Sequence, residues 1–557
     1  MADTPNEQGP ASSGASSDLP AYLASAKPNG PEGRVSWYSS TAQTYAGIML
    51  WFVFWQGAAA TGGTPGGALS TGIAAPLIGL VIAGLLCHFL YFYVPGMLGM
   101  KTGMPLYVIG SSTYGTQGGM VVPGFIMGAL QFGWLGVNAF AVAEILCKCF
   151  EIGLITEGEH AGKVLVPGPI HGVIAVLFAA GAAFMGLKGI QYVAKVATFL
   201  PVIPLITLVV LFAMTVGGLG KFDPEMVINP AATSTETKPD ADKNDTAEAK
   251  DADEDSETNG DEAAVNGNGD ENEVEPLTES TEPAADKATA QPEAATEEQS
   301  PLGFLGVVMV INTFVIGFFA TAGCAGVDFG MGNRNAKDIQ LGGLIGIAGS
   351  IVFAGGLAVL IVAGAYGSGL IPEGQAGVLN AIDIMKGGIL DPGVANIIMI
   401  LLAIAAFPAA CFSAFIAANS FRTVMPQINP NLSVAVGALA SIILAVMGWA
   451  GQVTIVFIII GAAFGPVCGA FAADYLLSGM KWPGPRKGWN LAGWISLVAG
   501  FAVGAGNFVP AVGGVIPVPP LSAFVVGFVL YAVLAKAGLE GKVVSMPQRM
   551  DAEGAAS

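Results

Sequence analysis

Residues 303–330 read GFLGVVMVINTFVIGFFATAGCAGVDFG, and Asp328 is the only charged group in the run. A helix rises about 1.5 Å per residue, so this segment is longer than the ~30 Å of hydrocarbon in a bilayer requires. It also carries glycines that predict an interruption, at Gly317, Gly323 and Gly326. Broken backbone at membrane depth is tolerated only where protein buries it or where it lines a cavity. The same combination recurs in the run 43–63, where Gly57, Gly62 and Gly63 precede Pro65. There Ala60-Thr61-Gly62-Gly63 echoes Ala320-Thr321-Ala322-Gly323. Paired interruptions in corresponding segments of two repeats are the sequence pointer to a transporter's binding site, although small residues also serve simple close packing between membrane helices.

Working outward, apolar runs predict twelve spans, at 43–63, 70–95, 121–147, 169–186, 190–218, 303–330, 340–366, 393–420, 433–449, 453–477, 489–508 and 520–537. The expectation is an all-α integral membrane protein of about 12 transmembrane helices. Composition agrees, since 53% of the 557 residues are hydrophobic and 11% charged, against roughly a quarter charged in a soluble domain. The net charge of -19 does not describe the spanning part, because residues 231–300 hold 22 Asp and Glu against 4 Lys. Such a segment cannot bury enough apolar surface to offset its ordering entropy and reads as a disordered insert. The six cysteines lie mostly within apolar runs and show neither metal-ligand nor secreted-framework spacing.

Lysine and arginine set the orientation. With the first tail cytoplasmic, fourteen of them fall in inner loops and tails, and only Lys148, Lys163 and Lys386 in short outer loops. The expected order is a disordered cytoplasmic tail at 1–40, five spans at 41–222, an acidic disordered extracytoplasmic insert at 223–301, five spans at 302–480, two more at 481–540, and a cytoplasmic tail at 541–557. No signal peptide is expected at the start, which is polar and lacks a basic stretch followed by an apolar core.

Within the third span, Gln131, Trp134 and Asn138 stand at i, i+3 and i+7 and share one helical face. A flat indole between two amides suits a planar heterocycle; interhelical hydrogen bonding with the indole as packing is the alternative. The aromatic pair Phe318-Phe319, followed by Thr321, lies beside the expected break of the sixth span, and a ring there would close a sandwich with Trp134. The eighth span offers Ser413 and Asn419, a hard oxygen for a cation and an amide for a ligand's edge. Asp328 and Asp474 fall at the inner ends of the sixth and tenth spans, where they are candidates to anchor gates. Glu144, four residues before Lys148, predicts an ion pair. The sequence contains no nucleotide loop, metal cluster or nucleophile-plus-base motif, so no enzyme and no resident cofactor is expected. The expected driving force is an ion gradient.

These residues resemble the nucleobase:cation symporter family, and within it the cytosine permease and purine–cytosine permease branch. The resemblance spans about Ser36 to Ala535 outside the insert. It is carried by Thr61-Gly62-Gly63-Thr64, Gly99-Met100-Lys101-Thr102-Gly103-Met104, Gly133-Trp134-Leu135-Gly136-Val137, Gly186-Leu187-Lys188-Gly189-Ile190, Val327-Asp328-Phe329, Gly465-Pro466 with Ala473-Asp474-Tyr475, and Pro517-Val518-Pro519-Pro520-Leu521. After Asp328-Phe329 this chain has Gly330 and Met331 before Asn333-Arg334, where the family's usual order is aspartate, aromatic, Arg.

The resemblance implies a leucine-transporter-type fold, with spans 1–5 and 6–10 as inverted repeats plus two C-terminal helices. It implies a planar base between Trp134 and Phe319, with Gln131, Asn138, Thr321 and Asn419 at substrate-contacting positions. It also implies a sodium site built from first-span carbonyls with Ala410 and Ser413. Ala414 stands where family members carry a second hydroxyl, which leaves protons as the alternative to Na+. The function expected is import of a nucleobase, cytosine first, by alternating access in the plasma (inner) membrane, with no nucleic acid and no obligatory protein partner. A carrier of purine, hydantoin, allantoin or thiamine-like rings, and a sensor or channel without coupled uptake, are the alternatives.

Overall fold

The computed structural model describes residues 19–40, 47–48, 64–152, 154–155, 164–165, 168–188, 197, 199–229, 300–371, 379, 381–425, 427–512 and 514–546. Nearly all of the run 43–63, the start of the run 190–218, the acidic insert and the outer parts of both tails lie outside the described residues. Among the described residues, nine helices are long and apolar enough to cross a membrane, and Asn431–Val446 and Leu491–Gly504 are shorter apolar helices. The chain is thus an all-helical, multi-pass membrane protein. Its small exception is a hairpin in which Leu154–Ile155 pairs antiparallel with Val164–Leu165.

The elements follow the apolar runs closely. They are α1 (Ala74–Thr102), α2 (Leu106–Gly119), α3 (Met127–Phe150), α4 (Pro169–Lys188) and α5 (Val202–Thr215) in the first part. After the insert come α6 (Phe304–Cys324), α7 (Gly326–Met331), α8 (Ala336–Gly367), α9 (Pro392–Val424), α10 (Pro430–Val446) and α11 (Val453–Leu477). Two helices finish the bundle, α12 (Leu491–Gly504) and α13 (Pro519–Leu534). Starts are set by familiar chemistry. Asp391 accepts from the Gly393 amide ahead of α9 and Asn429 from the Asn431 amide ahead of α10, each with proline at the first helical position.

Two expectations about continuity are corrected. Residues 106–119, rich in Gly, Ser and Thr and left between spans by the sequence reading, form α2, which joins α3 through a π-helical stretch, Met120–Ile126. The interruption of the sixth span falls at Ala325, between α6 and α7, and not at Gly317 or Gly323, through which α6 runs unbroken. Those two glycines serve close packing. A Cβ on Gly317 would sit 2.5 Å from the Phe457 carbonyl oxygen of α11, and one on Gly323 2.6 Å from the Tyr91 Cβ of α1.

The buried side chains form two main clusters of different texture. One is large and aromatic-rich, and draws Leu80 and Tyr91 of α1, Ile311 and Phe319 of α6, Ala358 of α8 and Phe464 of α11 into contact. The other is built largely of methyl groups, including Ala139 and Ala143 of α3, Ala175 and Ala179 of α4, Ala410 and Ala414 of α9 and Ala438 of α10. Small residues let these helices approach closely, and a Cβ on Gly186 would meet the Cys411 carbonyl at 2.5 Å. Helix α3 belongs to both, for Leu135 and Ala139 face the alanine cluster while Trp134 packs on the aromatic one.

Since Gly317 has no room for a side chain, Gly317→Ala should cost about 1–3 kcal/mol as overpacking between α6 and α11. Thermal unfolding of the purified protein in detergent measures this, and an unchanged Tm would show that the two helices are free to separate.

Candidate functional site

Trp134 is the hinge point between the two clusters, and its surroundings are the best-defined candidate site. On α6, Phe318 and Thr321 are three residues apart and share one helical face. That face meets α3, so the Trp134 indole Nε1 donates to the Thr321 hydroxyl at 3.1 Å. The Phe318 ring stands edge-on to the indole, with centroids 5.1 Å apart at 85°. From α11, Phe457 closes the group, its centroid 5.3 Å from Trp134 and 5.4 Å from Phe318. The arrangement is an aromatic wall carrying one hydroxyl, with the α6 to α7 break four residues beyond that hydroxyl at Ala325.

The structure brings together some of the residues expected at the site and separates others. Trp134 and Thr321 meet directly. Phe319 does not face Trp134. Successive helical residues diverge by about 100°, so while Phe318 turns to the indole, Phe319 is wholly buried with its ring edge toward Gly323. The ring opposed to Trp134 is Phe318, one position earlier than expected. Gln131 and Asn138 flank Trp134 along α3, but their amides bond within that helix, Gln131 Nε2 to Met127 Sδ at 3.6 Å and Asn138 Nδ2 to the Trp134 carbonyl at 2.8 Å. Asn419 is exposed near the end of α9. Ala410 and Ser413 are buried in the middle of α9, and the first-span carbonyls expected opposite them lie outside the described residues.

Phe457 escaped the sequence reading, because one phenylalanine in the run VTIVFIII carries no local signal that sets it apart from packing. Phe318 was in view as half of an aromatic pair; only the phase of α6 decides which of the two turns inward.

The two aspartates have distinct partners. Asp328 Oδ1 accepts from the Leu106 amide at 2.9 Å, capping the start of α2 from α7. Asp474 lies in a buried network at the far end of α11. Its Oδ2 accepts from the hydroxyls of Ser112 and Thr113 at 2.8 and 3.0 Å, and its Oδ1 is 2.9 Å from Arg486 Nη2. Arg486 also donates to the Ser112 carbonyl and pairs with Glu540 at 3.0 Å. These contacts converge where α2 is interrupted, at Gly115 with φ 87° and ψ 167°, a conformation open to glycine alone. The carbonyls freed there are taken up by Asn490, which donates to Thr113 at 2.8 Å from its side chain and to Tyr114 at 3.0 Å from its backbone. At the opposite end of the bundle, Glu144 and Lys148 pair at 2.9 Å as expected, and Lys148 also reaches Asp383 at 2.8 Å.

Both charges of the Asp474 and Arg486 pair are nearly inaccessible, at 3% and 4%. Removing one partner strands the other, so Arg486→Met should destabilise by about 3–5 kcal/mol, and the double change Arg486→Met with Asp474→Leu by less than the single one. A double-mutant cycle read by thermal unfolding checks the sign; additive losses would mean that the pair is uncoupled.

No protein-family model matches the chain, and neither does any curated protein. Solved structures do. Mhp1, a nucleobase-cation-symport-1 family transporter, in a closed conformation with bromovinylhydantoin bound, superposes with a TM-score of 0.57 at 14% identity, over 94% of this chain and 96% of that one. The inward-facing conformation of Mhp1 gives a TM-score of 0.58 at 13% identity, over 95% and 97%. A Na+-coupled sialic acid symporter in a substrate-bound outward-open state gives 0.50 at 12%, over 92% of each. The leucine-transporter-type fold expected from the sequence is therefore the fold found, and the similar structures include a transporter of the family that the sequence resembles.

Proposed function

We propose that this chain belongs to the nucleobase:cation symporter family and imports a nucleobase or related planar heterocycle, cytosine first, in symport with Na+ or H+. The observation that carries the reading is the Trp134 wall. A flat, weakly polar ligand is matched by aromatic faces that supply dispersion and by a small number of placed polar groups that supply orientation. Here the faces are Trp134 and Phe318, and the polar groups are the Thr321 hydroxyl with the Gln131 and Asn138 amides on either side. The last two satisfy themselves within α3. They can therefore exchange an intrahelical bond for one to a ligand at little net cost. A ring entering between Trp134 and Phe318 requires Phe318 to leave its edge-on position.

Position in the fold supports the same reading. The wall stands where the alanine cluster meets the aromatic one, beside a broken helix, the arrangement in which transporters hold cargo between two bodies that rock against each other. Mhp1 and the sialic acid symporter share this fold. Ser413, buried in α9, is the hydroxyl proposed for a sodium ion, and Ala410 supplies a carbonyl. Asp328, by capping α2 from α7, and Asp474, by holding the Gly115 break, are the proposed anchors of the gate at that end. The chain is placed in the plasma (inner) membrane with both tails cytoplasmic.

Labelled cytosine in proteoliposomes should exchange against unlabelled cytosine inside. Absence of trans-stimulation would favour a sensor or channel. Trp134→Ala should weaken cytosine binding by about tenfold, the loss of one stacking face worth ~1.4 kcal/mol, and a change under twofold would remove the wall from the site. Thermal-shift titrations of cytosine, purines and hydantoins with and without Na+ separate the cargo and the ion. Ser413→Ala should abolish any Na+-dependent shift, and its persistence would move the ion elsewhere or leave H+ as the coupling cation.

A further inference from the structure

Residues 19–40, which precede the first apolar run, lie across one end of the bundle in a defined path. They begin with a single helical turn, Ala21–Ala24, that buries Tyr22 and Leu23 to 7% and 0% exposure. The Tyr22 hydroxyl donates to the Thr116 carbonyl of α2 at 2.8 Å. The chain then crosses the turn between α1 and α2, where the Asn29 amide donates to the Gly103 carbonyl at 2.8 Å. Gly103 has φ 65°, and a Cβ there would come within 3.0 Å of the Asn29 backbone. From that point the segment passes to the far end of the broken helix. Asn29 Nδ2 donates to the Met331 carbonyl at 3.0 Å, Val35 N donates to the Gly332 carbonyl at 2.7 Å, and Ser40 donates to the Phe329 carbonyl.

The geometry points to a function for this segment: residues 19–40 are a strap that latches α7 to α2 and keeps that end of the bundle closed. The partners are what make it a latch. At one end it holds the 103–116 region and at the other the carbonyls released as α7 finishes, the two elements that the Asp328 to Leu106 bond already joins. Separating α7 from α2 therefore breaks the strap's bonds on one side or the other. The strap also shares Thr116 with the buried ion-pair network. While the Thr116 carbonyl takes the Tyr22 hydroxyl, its amide donates to the Arg486 carbonyl at 2.7 Å and its Oγ1 accepts from the Gly488 amide at 3.0 Å. Since Arg486 is tied to Asp474 on α11, a shift of α11 reaches the strap through one residue. The latch is a property of the fold alone; its effect on turnover rests on the carrier reading, in which this end must open once per cycle.

The test is hydrogen exchange on the full-length protein in nanodiscs, which does not depend on cargo. Tyr22→Ala combined with Asn29→Gly should speed amide exchange about tenfold in residues 103–110 and 326–333 while leaving α6 residues 304–316 and α3 unchanged. Tyr22→Phe, which keeps the buried ring and loses only the hydroxyl, should give a smaller rise confined to 112–118. Unchanged exchange at 326–333 overturns the latch. A rise spread over the whole bundle overturns it too, because it shows a general structural role in place of a local one. In proteoliposomes, a cross-link between cysteines introduced as Asn29→Cys and Met331→Cys should stop exchange of cytosine until reduced. Loss of that effect with the local exchange result intact would place the failure in the carrier reading and not in the latch.

Discussion

Inside a bilayer no water is at hand to satisfy a peptide group, so every place where a helix is interrupted must be supplied with partners by the rest of the chain. This protein interrupts its helices at chosen points, and much of its polar chemistry exists to complete them. At Gly115 three consecutive carbonyls leave the helical ladder, and the segment 486–494 comes in to bond them through Arg486, Asn490 and Trp494. An arginine in that role needs a counter-charge, which Asp474 provides from α11, and Asp474 in turn takes the Ser112 and Thr113 hydroxyls. The ion pair is thus a consequence of the broken helix, and it welds the last helices of the chain to α2.

The same constraint shapes the region around Trp134. Helix α6 stays intact past Gly317 and Gly323, so that its polar side chains, not its backbone, face α3. The indole and the Thr321 hydroxyl satisfy each other, and the amides of Gln131 and Asn138 turn back on their own helix. Each polar group of the wall is thus paired within the protein, by one bond across helices and two within α3.

The spans were legible because hydrophobic length is written in composition. Nearly every described helix lies within a few residues of an apolar run, and the Glu144 to Lys148 pair followed from spacing alone. What was illegible has a common cause, dependence on tertiary partners. Residues 106–119 look like a loop because Gly, Ser and Thr have low helical propensity, and they are helical because Asp474, Arg486 and Asn490 complete them. Phe318 and Phe319 are indistinguishable in sequence; a rotation of about 100° around α6 separates the ring that meets Trp134 from a core residue. Gly326 does adjoin the break, whereas Gly317 and Gly323, read with it, are points of close helix contact, since a missing Cβ serves either purpose. The segment 19–40 carries no apolar periodicity and was expected to be disordered, yet its buried Tyr22 and Leu23 and its hydrogen bonds fold it onto the bundle.

The alanine cluster of α3, α4, α9 and α10 bears on how such a protein changes over time. A methyl group has no rotamers, so where alanine faces alanine in this cluster an enlarged residue is absorbed mainly by moving a helix. The aromatic side is built of larger side chains, such as Phe318 and Phe457, whose shapes can be exchanged one residue at a time. Substitutions are therefore expected to be tolerated more readily on the aromatic faces of α6 and α11 than among the facing alanines, and the two halves should age at different rates.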